Sequence, residues 1–259
     1  MPAPSQKQSD SPVNDAQDAR LIVVHSMGKV GSSTLYAPLR DIAGDRAFHT
    51  HQFNEKTLDH FISNVSGVSA GHIRDSLRFL ELLPAASSVK LIIPVREPMS
   101  RNVSAFFENL ERYGIQHDST DVRAAIDTFL RRYPHQVPVN WFNLQVKLPL
   151  GIDALQAAPG IPYRFLGTPF ELLNVRVEDA DQTIERQLNE FLDTTNLKLK
   201  QANVGDQKPY AALYAAFRRE FQPPKALVDT LYEADYVRAL YSTDEIREMR
   251  SRWEQPSTD

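Results

Sequence analysis

Two runs of consecutive apolar residues, RLIVVHS over residues 20–26 and VKLIIPVREP over residues 89–98, constrain this chain more than any other feature. Neither alternates apolar with polar residues, as a strand with one wet face would. Both are rich in β-branched residues and too short to be buried helices. They read as strands buried on both faces, the condition of a parallel sheet covered by helices on each side. Turn chemistry and then a helical pattern follow each run. After the first comes a glycine loop and SSTLYAPLRDIAG, ended by Gly44; after the second comes Pro98 and SRNVSAFFENLERYG, closed by Gly114.

The remaining segments extend this alternation. AFHTHQF (47–53) reads as a second strand and EKTLDHFISNV as a helix, while VSAGHIRDSLRFLELL begins extended and turns helical near Asp75. Residues 121–150 read as mostly helical, and residues 163–179 give strand character twice. An amphipathic helix, ADQTIERQLNEFLD, follows with Asp179 as its N-cap, and residues 209–253 read as three or so helices broken at QPPK (222–225). Strands alternating with helices imply an α/β fold: a three-layer, P-loop-like parallel sheet flanked by helices, with a helical C-terminal region. One domain over residues 19–259 accounts for the pattern. Residues 1–18, rich in Pro, Ser, Gln and Asp, read as a disordered tail with neither a signal peptide nor an anchor, so a cytoplasmic protein is the expectation.

The formal charge of −4 argues against nucleic acid as a partner, so any anion site must be a local basic pocket. No cysteine is present, which excludes disulfides, thiolate metal sites and a cysteine nucleophile. The candidate pocket is the loop in VVHSMGKVGSST, residues 23–34. A strand ending in a glycine turn that opens a helix aims backbone N–H groups and the helix dipole at one spot. Gly28 and Gly31 allow close approach, Ser32, Ser33 and Thr34 add hydroxyls, and Lys29 adds charge. The order differs from a Walker A loop, in which lysine follows the last glycine; here Lys29 precedes Gly31. The second strand brings Arg96 to its carboxyl end and Ser104 onto the following helix, a guanidinium and a hydroxyl suited to a second phosphate. Two adjacent anion sites imply a ligand with phosphates at two ends.

The pair KVGSST and REPMSRNVS resembles the two signature segments of sulfotransferases that use 3′-phosphoadenosine 5′-phosphosulfate (PAPS). Within that superfamily the chain is similar to bacterial capsular polysaccharide synthesis sulfotransferases and, more distantly, to the glycan O-sulfotransferases. The resemblance covers about residues 20–253, with the two motifs its specific part. It implies that Lys29, Val30, Gly31, Ser32, Ser33 and Thr34 bind the 5′-phosphosulfate and that Arg96 and Ser104 bind the 3′-phosphate. It further implies that Lys29 stabilises the bridging oxygen as the sulfuryl group leaves and that 3′-phosphoadenosine 5′-phosphate is the product. Departures are Met-Gly before Lys29, where many members have proline, and Glu97 in place of aspartate. A late segment, NVGDQKPYAALY, resembles the one that closes over the nucleotide, making Gly205 and Lys208 candidate contacts.

Sulfuryl transfer to a hydroxyl needs a base. His72 lies in a GH that resembles the position of a catalytic histidine in heparan-type 2-O-sulfotransferases; the alternative for it is a strand-end histidine bonded to backbone. His49 and His51 share one face of their strand and are acceptor-site candidates, with His51 a second candidate base and Glu108 a third. A His-x-His pair can bind metal, but no third ligand is evident in the sequence and the family needs none. Trp141 could stack on a saccharide or lie in the core, and Arg74, Arg101 and Lys147 could contact an anionic one. The expected function is PAPS-dependent transfer to a saccharide-type hydroxyl, a polysaccharide modification. A nucleotide or small-molecule kinase on the same fold and a non-catalytic nucleotide-binding descendant remain the alternatives.

Overall fold

The structure is a computed structural model that describes residues 20–64, 68–199 and 208–254; the N-terminal tail and Gly205 lie outside the described residues. The first half of the chain runs β1 (Arg20–His25), α1 (Ser32–Ala43), β2 (Ala47–Thr50), α2 (Glu55–Asn64), α3 (Val68–Leu82), β3 (Ser88–Val95) and α4 (Pro98–Phe107). Then come α5 (Val122–Arg132), α6 (Val137–Phe142), a π-helical turn (Asn143–Lys147), α7 (Leu148–Leu150), β4 (Tyr163–Arg164), β5 (Phe170–Arg176) and α8 (Asp181–Leu192). Four helices close the described chain: α9 (Ala211–Glu220), α10 (Lys225–Tyr232), α11 (Asp235–Leu240) and α12 (Thr243–Glu254).

The strands form one sheet in the order β2-β1-β3-β5-β4, parallel except where β4 pairs antiparallel with β5. Successive side chains of a strand face opposite sides, and both sides are apolar here, as the unbroken runs require. Leu21, Val23, Leu91 and Ile93 join the larger core with the aromatic residues of α4, α5 and α9. Ile22, Val24, Ile92 and Leu173 face the other way onto Leu35 and Leu39 of α1 and Ile184 and Leu188 of α8. The chain leaves β1 for β2 on one side and returns through β3 on the other. This reversal opens a crevice at the carboxyl ends of β1 and β3, where α/β sheets bind ligands.

Two local expectations are corrected. Residues 68–74 are helical rather than extended, so His72 lies on α3 and not at a strand end. The reason lies in β2, an edge strand: the His49 N–H donates to Asp75 Oδ2 at 2.9 Å, and His72 Nδ1 donates to the His49 carbonyl at 3.0 Å. Residues 72 and 75 reach one backbone unit because helical residues three apart share a face. Asp179 does not cap α8; it pairs with Arg176 at 2.8 Å, and the cap position falls to Ala180. The C-terminal region has four helices among the described residues, with the expected break between α9 and α10. Among the described residues, no helix is long and apolar enough to cross a membrane.

The C-terminal helices grip the turns at the strand ends. Glu97 caps α4, accepting from Met99 N at 3.0 Å and Ser100 N at 2.6 Å, and the buried Tyr232 hydroxyl donates to the same carboxylate. Glu178, after β5, accepts from Glu97 N at 2.7 Å and from the Tyr241 hydroxyl at 3.1 Å. A buried carboxylate that loses one donor loses stability. Tyr232→Phe is therefore expected to cost about 1–2 kcal/mol in urea unfolding; an unchanged midpoint would count against this link.

Candidate functional site

The β1–α1 loop turns sharply at Gly28, Lys29 and Gly31, with φ values of +74°, +61° and +66°. Glycine adopts this left-handed region at little cost, whereas Lys29 is held there against its preference. At Gly31 a side chain would also press on Val177, with a Cβ only 3.3 Å from Cγ1. The buried guanidinium of Arg101 on α4 fastens the loop from below. Its Nε donates to the Gly28 carbonyl at 3.2 Å, its Nη2 to the Met27 carbonyl, and its Nη1 to the Tyr133 hydroxyl at 2.8 Å. Arg96 donates to the Lys29 carbonyl at 3.2 Å. Thr34 N and Leu35 N donate to the Gly31 carbonyl at 3.1 and 3.4 Å, so the N–H groups of Ser32 and Ser33 are the ones that the start of α1 leaves without intrahelical acceptors.

A cleft of about 590 Å³ opens over this loop. It is lined by Lys29, Gly31, Ser32, Ser33 and Thr34 from the loop and helix start, and by Arg96, Arg101, Ser104, Glu108 and Arg112 from the turn after β3 onward; His51 and His72 complete the wall. An adjoining space of about 440 Å³ shares Lys29, Arg96, Ser104 and Glu108 and adds Lys208, Tyr210 and Tyr214. The residues expected to hold two anionic groups are thus neighbours along one trough. Val30 differs: its side chain is fully buried in the core, which leaves its backbone to the loop. The Ser32 hydroxyl is engaged with His49 Nε2 at 2.8 Å.

Glu108 crosses the trough. Its Oε2 lies 3.1 Å from Lys29 Nζ and 3.5 Å from Lys208 Nζ and accepts from the Tyr210 hydroxyl at 2.9 Å. Partial burial pulls its pKa up, but the Tyr210 hydrogen bond and the two lysines outweigh it and hold the carboxyl below the usual range. This is the environment of an anion, and it makes Glu108 a poor proton acceptor.

The three histidines singled out from the sequence meet. One ring nitrogen from each of His49, His51 and His72 lies within 4.8 Å of the other two. The premise that the His-x-His pair lacks a third partner is therefore corrected, because α3 brings His72 to it. His51 Nδ1 donates to the Ser26 carbonyl at 2.8 Å and His72 Nδ1 to the His49 carbonyl, which selects for each ring the tautomer whose lone pair is on Nε2. Desolvation first, then the neighbouring imidazoles, push His49 down to about 2 and His51 to about 3. His49 is buried and borders a separate cavity with Arg40, Arg74 and Arg78, instead of lining the cleft.

Other expected residues lie elsewhere. Trp141 is a core residue, 4% exposed and packed against Phe142 and His25, so it has no face for a sugar. Lys147 pairs with Asp153 at 2.8 Å beside α6. Arg101 is buried structure as well as lining, not a surface contact. Its place was legible in part: Glu97, Arg101, Ser104 and Glu108 recur at helical spacing along one face of α4. Gln145 left no such signal. The π-helical turn directs its amide Oε1 to the N–H groups of Phe53 and Asn54 at 2.8 and 3.0 Å, and its carbonyl accepts from His25 Nε2 at 3.1 Å. The chain matches no family model, no curated protein and no solved structure.

Two outcomes are expected. Arg101→Met leaves the Met27 and Gly28 carbonyls without their donor and should cost about 2–3 kcal/mol in chemical unfolding. Buried neutral histidines also make stability depend on pH. Because the folded pKa values of His49 and His51 lie below the ordinary 6.5, their contribution is intact above pH 6.5 and is lost as pH falls toward 3 and then 2. Each contributes a slope of up to about 1.4 kcal/mol per pH unit. Unfolding followed between pH 7 and pH 5 with EDTA present should show stability falling, and less steeply in His49→Asn.

Proposed function

We propose that the chain is a sulfotransferase that moves a sulfuryl group from PAPS to a hydroxyl of a saccharide-type acceptor. The observation that carries this reading is the convergence of the Lys29 loop, Arg96 and Ser104 on one trough, with imidazoles on its wall. A nucleotide with anionic groups at two ends matches two adjacent sets of donors. On this reading the 5′-phosphosulfate lies against the start of α1 and the 3′-phosphate lies near Arg96, Ser104 and Lys208.

Transfer then follows from the donors. The acceptor oxygen attacks sulfur as its proton passes to His72 Nε2, and the bond from sulfur to the bridging oxygen breaks. The electron pair stays on the departing 3′-phosphoadenosine 5′-phosphate, where Lys29 and the helix N-terminus stabilise it. His72 is preferred to Glu108 because Glu108 is already neutralised by two lysines and Tyr210. It is preferred to His51 because burial among the other rings depresses the basicity of His51. Nucleotide binding must first draw Lys29 away from Glu108, so the carboxylate marks the place an incoming anion takes.

A kinase reading needs an acidic strand-end residue facing the phosphates. Glu97 caps α4, Glu178 is engaged by Glu97 N and Tyr241, and Asp179 pairs with Arg176, so these three acidic groups after the strands are directed into structure. That favours sulfuryl over phosphoryl transfer.

Calorimetric titration with 3′-phosphoadenosine 5′-phosphate, beside ATP with magnesium, tests the reading. Micromolar binding of the bisphosphate, weakened at least about tenfold in Arg96→Ala, is expected for a lost charge-assisted contact. Lys29→Ala should abolish transfer from PAPS while the fold is retained. Tight ATP–magnesium binding without a response to the bisphosphate would overturn the proposal.

A further inference from the structure

We infer that His49, His51 and His72 form a binding site for one divalent transition-metal ion of the zinc class, set in the wall between the cleft and the cavity beside α3. The three imidazoles come from the end of β2, the loop after it, and α3, and their nearest ring nitrogens already lie within 4.8 Å of one another. Zinc bonds of roughly 2.0–2.1 Å ask the rings to close in by about 1–2 Å, within the reach of side-chain rotation.

The partners around the rings are those of metal-binding histidines. A ligating imidazole almost always donates its other N–H to a carbonyl, carboxylate or hydroxyl, which fixes the tautomer and aims the lone pair. His51 Nδ1 does this to the Ser26 carbonyl and His72 Nδ1 to the His49 carbonyl, and His49 Nε2 meets the Ser32 hydroxyl at 2.8 Å. Histidine elsewhere in the chain shows the contrast. His25 is fully buried, and both of its ring nitrogens are engaged, with Thr50 Oγ1 at 2.8 Å and the Gln145 carbonyl at 3.1 Å, so it has no lone pair to offer.

The donor set also selects the ion. Three imidazoles suit zinc, copper or nickel and are a poor match for magnesium or calcium, which prefer oxygen. Three protein ligands leave a fourth position open, and His51 and His72 both line the cleft that holds Lys29 and Arg96. An oxygen ligand from the cleft completes a tetrahedron there. Metal on His72 Nε2 withdraws the lone pair that takes the acceptor proton in the reading above, so that role belongs to the metal-free protein. The inference does not depend on sulfuryl transfer.

Zinc chloride titrated calorimetrically into the tag-free, EDTA-stripped full chain, with no nucleotide present, tests it. One equivalent is expected to bind with micromolar or tighter affinity. His51→Ala and His72→Ala should each weaken binding at least about tenfold, while His117→Ala leaves it unchanged, because that ring lies beside Glu111 and outside the cluster. Cobalt(II) provides a measurement on the unmutated chain: strong visible absorption marks tetrahedral coordination by the histidines. No heat at micromolar zinc, or wild-type affinity retained in either ligand variant with its fold intact by circular dichroism, would overturn the site. Because no nucleotide enters these titrations, their failure leaves the bisphosphate experiment unaffected, and the reverse holds.

Discussion

A buried guanidinium organises the candidate site. Arg101 spends its donors on the carbonyls of Met27 and Gly28, on Asn102 and on Tyr133, so its partners are dipoles instead of a carboxylate. An uncompensated buried charge is expensive unless every donor is satisfied. Here the satisfaction comes from a loop whose carbonyls must point downward to supply it. That demand explains why Lys29 accepts a left-handed backbone and why Gly28 and Gly31 flank it. The charge itself is not neutralised, so it adds to the positive field that Lys29, Arg96 and Lys208 present to the trough.

The second constraint runs from the far end of the chain. Tyr232 and Tyr241 reach back to Glu97 and Glu178, the acidic residues that follow β3 and β5. Arg96 immediately precedes Glu97, so the guanidinium offered to a ligand is placed by helices that contribute only hydroxyls. Stability and ligand geometry share these bonds. Loss of Tyr232 or Tyr241 would reach Arg96 through Glu97 and Glu178 without touching any residue that lines the trough.

The sheet and its order of layers were legible because RLIVVH and KLIIPV have no polar interruption, which only burial on both faces explains. The loop was legible because glycine, lysine and hydroxyls crowd into a few positions after a strand. What the sequence concealed depended on distant partners. The extended reading of residues 68–74 failed because Asp75 and His72 reach the backbone of His49, more than twenty residues away, and only a helix gives both that reach. For Trp141 the sequence allowed both a sugar platform and a core position, and the packing of His25 and Phe142 against it makes it core. The meeting of three histidines was hidden for the same reason: two adjacent in sequence can be paired by eye, but the third arrives only when α3 docks on the sheet edge.

That docking has a consequence for how molecules of this protein meet one another. An edge strand with a free N–H and carbonyl is a template for another chain. At β2 the His49 backbone is covered by Asp75 and His72, and at the opposite edge β4 is only two residues long. Neither border offers a ladder long enough to recruit a neighbour. His72 therefore lines the candidate cleft and also covers the rim of the sheet. A substitution there reaches beyond the cleft: it bares a carbonyl that a second molecule can bond, tying the chemistry of one imidazole to self-association in solution.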